Sequence, residues 1–173
     1  SRGKTGAAHL AAVGALRSGA GLVTVATPIS CQAVVAAMAP EYMTEGLDET
    51  DEGLDPDAIE GVLEIARDVI AIGPGLGRAR ATEEFILRLV DRATIPLVID
   101  ADGLNAFNRE PDRLAGREGR DVIITPHPGE MARLVGMSSD EVQSSRLEIA
   151  RNFAVAHHVY VVLKGHRTII ATP

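Results

Sequence analysis

The chain has 173 residues, 46% apolar and 24% charged, with a net charge of −7: one soluble domain's worth of sequence with enough apolar material for a core. The acidic balance excludes a general binder of nucleic-acid backbone or acidic membrane, and an aromatic content of 3% leaves little for base stacking. Cys31 is the only cysteine, so no internal disulfide forms and a reducing, cytoplasmic setting is expected; no run approaches the roughly 20 apolar residues of a spanning helix.

Gly3-Lys4-Thr5 resembles the end of a phosphate-binding Walker loop, but its earlier glycine and preceding strand do not stand before it. What is left is a glycine-flanked helix start, where free amides can take an anion or a ligand oxygen. Residues 5–18 are rich in alanine and leucine and close on Gly19-Ala20-Gly21, which predicts a helix. Leu22-Val23-Thr24-Val25-Ala26 reads as a strand ended by Thr27-Pro28. Ser30 is placed to cap a second helix to about Met38, stopped by Pro40, with Cys31 in it as a small buried hydrophobe. Residues 45–57 are acidic and turn-rich, and read as a solvated loop with no site of its own. A short helix over 56–66, with proline in its first turn, leads into the strand Val69-Ile70-Ala71-Ile72.

Thr82-Glu83-Glu84-Phe85 opens a helix to about Asp91 on a stripe of Phe85, Ile86, Leu89 and Val90. A strand follows over 97–100, then a short helix over 104–107 and a charged connection from Arg109 to Arg120. The next strand covers 122–125. Ser139 is expected to cap a longer helix to about Ala156, burying Val142, Leu147, Ile149, Ala150 and Phe153. Strand 159–163 and the return arm Thr168-Ile169-Ile170 form a hairpin around Gly165. The alternation predicts a single α/β domain with a mainly parallel sheet.

Three of these strands end in turns dense in glycine and polar residues, where a parallel sheet gathers its chemistry. Gly73-Pro74-Gly75-Leu76-Gly77 lacks the spacing of a dinucleotide fingerprint and serves either as a loop or as a ligand contact. Asp100 and Asp102 point to one side if the extended backbone persists, a pairing suited to a metal-phosphate, proton transfer or hydroxyl recognition; otherwise Asp102 caps the helix starting near Leu104. In Thr125-Pro126-His127-Pro128-Gly129-Glu130 two prolines lock the backbone around one imidazole, and Glu130 is placed to cap the following helix. His157 and His158 read as surface or packing residues, and no His/Cys cluster has metal-ligand spacing. Lys164-Gly165-His166-Arg167-Thr168 is either a phosphate seat or a hairpin turn with a solvated lysine.

Taken together, these segments resemble the ADP- or ATP-dependent NAD(P)H-hydrate dehydratases. The matching stretches are Gly3-Lys4-Thr5-Gly6-Ala7-Ala8, Leu16-Arg17-Ser18-Gly19-Ala20-Gly21-Leu22-Val23-Thr24 and Gly73-Pro74-Gly75-Leu76-Gly77. They continue with Asp100-Ala101-Asp102-Gly103-Leu104-Asn105, Thr125-Pro126-His127-Pro128-Gly129-Glu130-Met131, and Val162-Leu163-Lys164-Gly165 followed by Thr168. The resemblance implies a ribokinase-like three-layer sandwich, its mainly parallel sheet flanked by helices. It implies repair of the S epimer of hydrated NADH or NADPH, with ADP or ATP as cosubstrate, Mg²⁺ assisting, and phosphorylation of the added hydroxyl before phosphate is eliminated. By the family's pattern Ala7 or Ala8, Gly75, Gly77 and His127 contact the hydrated dinucleotide, with Asp100 and Asn105 lining the pocket. Lys164, Gly165, His166, Arg167 and Thr168 hold the nucleotide phosphates. A homo-oligomer, and an epimerase as fused or working partner, are further implications.

The family's pattern continues after the hairpin with Gly-Thr/Ser-Gly-Asp, whose amides form an anion hole and whose aspartate is the catalytic base. The sequence reaches Pro173 before that motif, so the domain is expected to be incomplete at both ends and the catalytic residue unassigned. These residues expressed alone are expected to show no repair activity. The rival readings are a hydroxymethylpyrimidine- or hydroxyethylthiazole-type kinase of the same fold, and a non-catalytic fragment.

Overall fold

Helices and strands are interspersed in the computed structural model, which describes residues 1–66, 68–108 and 110–173. They gather into two units, Ser1–Ile65 with Pro74–Phe85, and Ala66–Gly73 with Ile86–Pro173. No helix among the described residues is long and apolar enough to cross a membrane.

In the first unit α1 (Thr5–Arg17) is followed by β1 (Thr24–Pro28), α2 (Ile29–Ala36) and β2 (Met43–Leu47). β1 and β2 pair in parallel from Thr24↔Met43 to Pro28↔Leu47. Ala12, Val25, Val35 and Tyr42 form the buried cluster here, and the Tyr42 hydroxyl donates to the Val35 carbonyl at 2.9 Å. The strand expected from Leu22 begins two residues later, because pairing with β2 sets its start and Leu22 is exposed. Ser30 does not cap α2: Pro28 is the N-cap and the Ser30 hydroxyl donates to Glu49 Oε2 at 2.9 Å. Cys31 is buried, as expected.

The acidic stretch is not a plain loop. It contains the end of β2 and a small antiparallel hairpin of β3 (Glu49–Thr50) and β4 (Gly53–Leu54). Leu47 and Leu54 are buried there at 4% and 3% exposure, so two apolar anchors order a segment whose charges face water. Asp55 caps the 3₁₀ turn Pro56–Ala58 by accepting from the Asp57 amide, and α3 (Ile59–Ile65) buries Ile59 and Val62.

The second unit is built on a five-stranded sheet of β5 (Ile70–Ile72), β6 (Leu97–Ile99), β7 (Val122–Ile124), β8 (Tyr160–Leu163) and β9 (Ile169–Ala171), in that spatial order. The first four run parallel and β9 returns antiparallel, which realises the expected mainly parallel sheet and its terminal hairpin. Parallel neighbours need crossovers, and helices supply them. These are α4 (Arg80–Arg92), whose residues are divided between the units, then α5 (Asp102–Asn105), α6 (Pro128–Val135), α7 (Ser139–Ser144) and α8 (Arg146–His157). Phe85, Ile86, Leu89 and Val90 are all buried, as the stripe predicts. Leu97, Ile99, Val122, Ile124, Val161 and Leu163 are fully buried, each contributing about 2 kcal/mol by removal of apolar surface from water.

The helix expected from Ser139 to Ala156 is two helices. Ser138, not Ser139, is the cap: its hydroxyl accepts from the Glu141 amide while Glu141 Oε2 accepts from the Ser138 amide. The helical backbone breaks at Ser145, with φ −130° and ψ 33°, so α8 is a separate helix, with Ala150 and Phe153 buried and Leu147 exposed. Arg109, the start of the charged connection, lies outside the described residues. Beyond it Pro111–Leu114 forms a 3₁₀ turn, and Arg120, 4% exposed, donates to the carbonyls of Val90 and Ala115. Burial pulls the Arg120 guanidinium below its ordinary value. His157 packs on Phe153 with ring centroids 4.2 Å apart, in keeping with a packing role.

Hydrogen bonds from Ser138 hold the Glu141 carboxyl below its usual range. A depressed folded-state value stabilises above the unfolded value and loses that contribution as pH falls through the folded one. Glu141→Gln is therefore expected to lower the urea midpoint at neutral pH, with the gap to the parent closing on acidification. A gap of the same size at every pH would contradict this.

Candidate functional site

The tips of β5 to β8 carry the chemistry of the second unit. Pairing continues one step past each strand: the Asp100 amide donates to Ile72 O at 3.0 Å, Thr125 to Ile99 O at 3.1 Å, and Lys164 to Pro126 O at 2.8 Å. Gly73, Asp100, Thr125 to His127, and Lys164 are thus brought side by side at the carboxyl end of one sheet, the ligand side of such folds.

Gly73 has φ +130°, and a methyl built on it would run into the Asp100 carbonyl oxygen and lie 2.9 Å from the Gly103 nitrogen. Backbone therefore meets backbone where β5, β6 and α5 converge. Ala101 follows at φ 50°, ψ −123°, so the extended form ends at Asp100. This corrects the expectation of Asp100 and Asp102 on one face of a continuing strand. It also corrects the capping alternative: α5 starts at Asp102 itself, which sits in the first turn, and Ala101 holds the N-cap position.

Asp100 Oδ1 accepts from the Ala101 amide at 2.8 Å and from Lys164 Nζ at 2.6 Å. Lys164 Nζ also lies 4.0 Å from Glu130 Oε2. The lysine is therefore more than a solvated hairpin residue: Asp100 at the tip of β6 pairs with it, and Glu130 in the first turn of α6 flanks it. Glu130 is only 6% exposed, and the same Oε2 accepts from the His127 amide at 2.8 Å. His127 in turn caps α6: its Nδ1 accepts from the amides of Gly129 at 3.0 Å and Glu130 at 3.4 Å. An accepting Nδ1 leaves the ring proton on Nε2, 3.4 Å from Glu130 Oε1. A side chain at residue 129 would press on the imidazole, with Cε1 at 2.9 Å, so glycine keeps room for the ring. Asn105 accepts from Arg133 Nε at 3.1 Å.

The turn from Lys164 to Thr168 is exposed beyond its lysine, and Thr168 Oγ1 donates to Gly165 O at 3.2 Å. Arg146 reaches into it with hydrogen bonds to the carbonyls of Leu163, Lys164 and His166.

In the first unit the alanine pair separates. Ala8 packs against the buried cluster, whereas the Ala7 methyl lies 3.0 Å from where a Gly75 side chain would begin. Gly75 and Gly77 have φ +77° and +87°, and the Lys4 carbonyl lies 2.7 Å from the Gly75 Cβ position. Both glycines are thus required by backbone conformation.

No group of three or more His, Cys, Asp or Glu among the described residues could hold a metal ion. Asp100 and Glu130 instead face the Lys164 ammonium, so the residues do not fit a protein-built Mg²⁺ cage.

The sequence profile described as NAD(P)H-hydrate dehydratase matches residues 1–173. The chain belongs to the NAD(P)H-hydrate dehydratase family. The bifunctional NAD(P)H-hydrate repair enzyme Nnr of Moorella thermoacetica is 47% identical over 176 residues, covering 100% of the chain and 33% of that protein. The ADP-dependent (S)-NAD(P)H-hydrate dehydratase of Bacillus subtilis is 35% identical, with 97% of the chain and 56% of that protein covered. A crystal structure of the ADP/ATP-dependent NAD(P)H-hydrate dehydratase from Bacillus subtilis, co-crystallised with ATP/Mg²⁺ and soaked with CoA, is similar at TM-score 0.75 and 30% identity, covering 100% of this chain and 59% of that one. A ribokinase-like superfamily protein of Enterococcus faecalis aligns at TM-score 0.79 and 25% identity over 99% of this chain and 57% of its own, and the fold is ribokinase-like as expected. The chain spans about a third of the length of the bifunctional relative and little over half of the Bacillus one.

Two residues of this family member carry no site signal in the sequence. Glu130 was legible only as a helix cap, although its capping-box spacing from His127 marks where the carboxylate folds back. Arg146 gives no local signal, because its partners lie 17 to 20 positions away.

Proposed function

We propose that the protein carrying this chain performs nucleotide-dependent dehydration of the S epimer of hydrated NADH or NADPH, with ADP as phosphate donor. The observation that supports it best is Lys164, an ammonium held at the sheet's carboxyl end by Asp100 and flanked by Glu130, at the root of an exposed glycine turn. Phosphoryl transfer asks a protein mainly for positioning and charge stabilisation. In this reading the hydroxyl oxygen of the hydrated ring attacks the terminal phosphorus of the nucleotide and AMP leaves. The ring carbon's bond to that phosphorylated oxygen then breaks, inorganic phosphate departs with the electron pair, and loss of a proton from the neighbouring ring carbon restores the double bond.

Lys164 keeps two of its three N–H donors for phosphate oxygens while the third goes to Asp100. Gly165, His166, Arg167 and Thr168 complete the phosphate seat. His127 presents a half-exposed ring to the substrate, its Nε2 3.4 Å from Glu130 Oε1, and Asp100 and Asn105 are assigned to the pocket lining. Ala7, Gly75 and Gly77 are assigned to substrate contact on the resemblance, with Ala7 favoured over the packed Ala8. Mg²⁺ belongs to the proposal as companion ion of the nucleotide phosphates. Cytoplasmic placement, homo-oligomerisation and partnership with an epimerase are parts of the same proposal, the first supported by the single buried thiol.

The test is an assay of the full-length protein with separated epimers of hydrated NADH plus ADP, following return of the dihydronicotinamide absorbance. ADP-dependent recovery from the S epimer alone is expected. Turnover of hydroxymethylpyrimidine or hydroxyethylthiazole with ATP, and none of hydrated NADH, would replace this reading with the kinase one.

A further inference from the structure

We infer that Arg146 is a positioning residue for the phosphate seat: it shapes the Lys164–Thr168 turn from behind so that the amides of Gly165 and Arg167 face an incoming nucleoside diphosphate. This rests on the nucleotide reading above and adds to it a residue that touches neither substrate nor phosphate.

Arg146 is the first residue of α8, and its guanidinium ends among backbone carbonyls. Nη1 donates to His166 O at 2.6 Å, and Nη2 donates to Leu163 O at 3.1 Å and Lys164 O at 3.2 Å. Its Nε is buried with no hydrogen-bond partner among the described residues, so the side chain sits there at a desolvation cost that the carbonyl contacts must offset. In a trans peptide the C=O and the following N–H point in opposite directions. Drawing the carbonyls of Lys164 and His166 onto Arg146 therefore turns the amides of Gly165 and Arg167 to the far side of the turn.

The backbone angles agree with that arrangement. Gly165 has φ +144° and Arg167 has φ +56°, the latter uncommon for a residue with a side chain. Left-handed residues within a turn are what bring successive amides round into a concavity for an anion. Gly165 also makes room for the clamp, since a methyl there would lie 2.9 Å from Arg146 Nη2. The turn is exposed on its outer side, where the ligand would approach.

The experiment compares the full-length parent with Arg146→Ala, Arg146→Lys and Gly165→Ala, each checked for folding by circular dichroism. Steady-state assays are expected to show KM for ADP rising about tenfold or more in Arg146→Ala, with KM for hydrated NADH within twofold of the parent. Arg146→Lys should show most of the same rise, because one ammonium cannot serve the three carbonyls that the forked guanidinium reaches. Gly165→Ala should reproduce it from the other side. In parallel, ADP added to labelled parent protein should shift the amide resonances of Gly165 and Arg167, and the shifts should shrink in Arg146→Lys. Equal rises in both KM values, or unchanged amide shifts in the variants, would overturn the role given to Arg146. A parent that shows the shifts and yet never restores hydrated NADH would end the dehydratase reading and leave the clamp standing.

Discussion

Gly73→Ala is expected to cost about 3 kcal/mol or more of folding stability, measured as a fall in the denaturation midpoint of the full-length protein. Two causes add. The residue holds φ +130°, where a side chain is strained, and the new methyl would collide with the Asp100 carbonyl oxygen. Neither obstacle can be relieved by rotating a flexible side chain, because the colliding group is backbone. Gly103 closes the same spot, its own Cβ position falling 2.9 Å from Gly73 Cα, so β5 cannot retreat toward α5. Any surviving folded protein should show a displaced Asp100 and weakened turnover. A variant within 1 kcal/mol of the parent would mean that this close approach is not present in solution.

Lys164→Met should reduce ADP-dependent turnover by about 100-fold or more, while stability changes little. The two effects separate because the ion pair is partly wet: the side chains of Lys164 and Asp100 are 41% and 29% exposed, and such pairs contribute about 1 kcal/mol or less. Methionine keeps the apolar stem and removes the charge. Lys164→Arg should not rescue, since a flat fork cannot replace a compact ammonium between Asp100 and Glu130. Retained turnover in either variant would remove the lysine from the phosphate seat; a large stability loss without an activity loss would make it a structural staple.

Much of this arrangement is legible in the sequence, for physical reasons that differ by segment. The tips of β5, β6 and β7 could be read because short Val/Ile runs that end abruptly in glycine, aspartate or proline have few other structural meanings. His127 was legible because two prolines flank it. The acidic segment misled: its charges describe the wet side, while the order comes from buried Leu47, paired to Pro28 on another strand, and from Leu54 in the small hairpin. Ser138 and Ser139 could not be told apart by composition, since only the reciprocal bond with Glu141 fixes which serine caps. Asp102 depended on a dihedral at Ala101 that side-chain pattern does not encode. Arg146 and the Lys164–Asp100 pair, 64 positions apart, are products of tertiary folding alone.

That last pair sets the terms on which the turn can accept a guest. A bare ammonium at a glycine-rich lip would collect sulfate, inorganic phosphate or any passing carboxylate, and would spend its time occupied by abundant, useless ions. Here the positive charge is already partly balanced at 2.6 Å by Asp100, so in the proposed phosphate seat a visitor must win the two remaining donors in the presence of a resident carboxylate. A small monoanion gains too little to do so, whereas a chain of phosphates can contact the lysine and the neighbouring amides together. The aspartate thus acts as a built-in competitor, and discrimination against simple anions follows from rivalry for one proton-rich nitrogen instead of from the shape of a cavity.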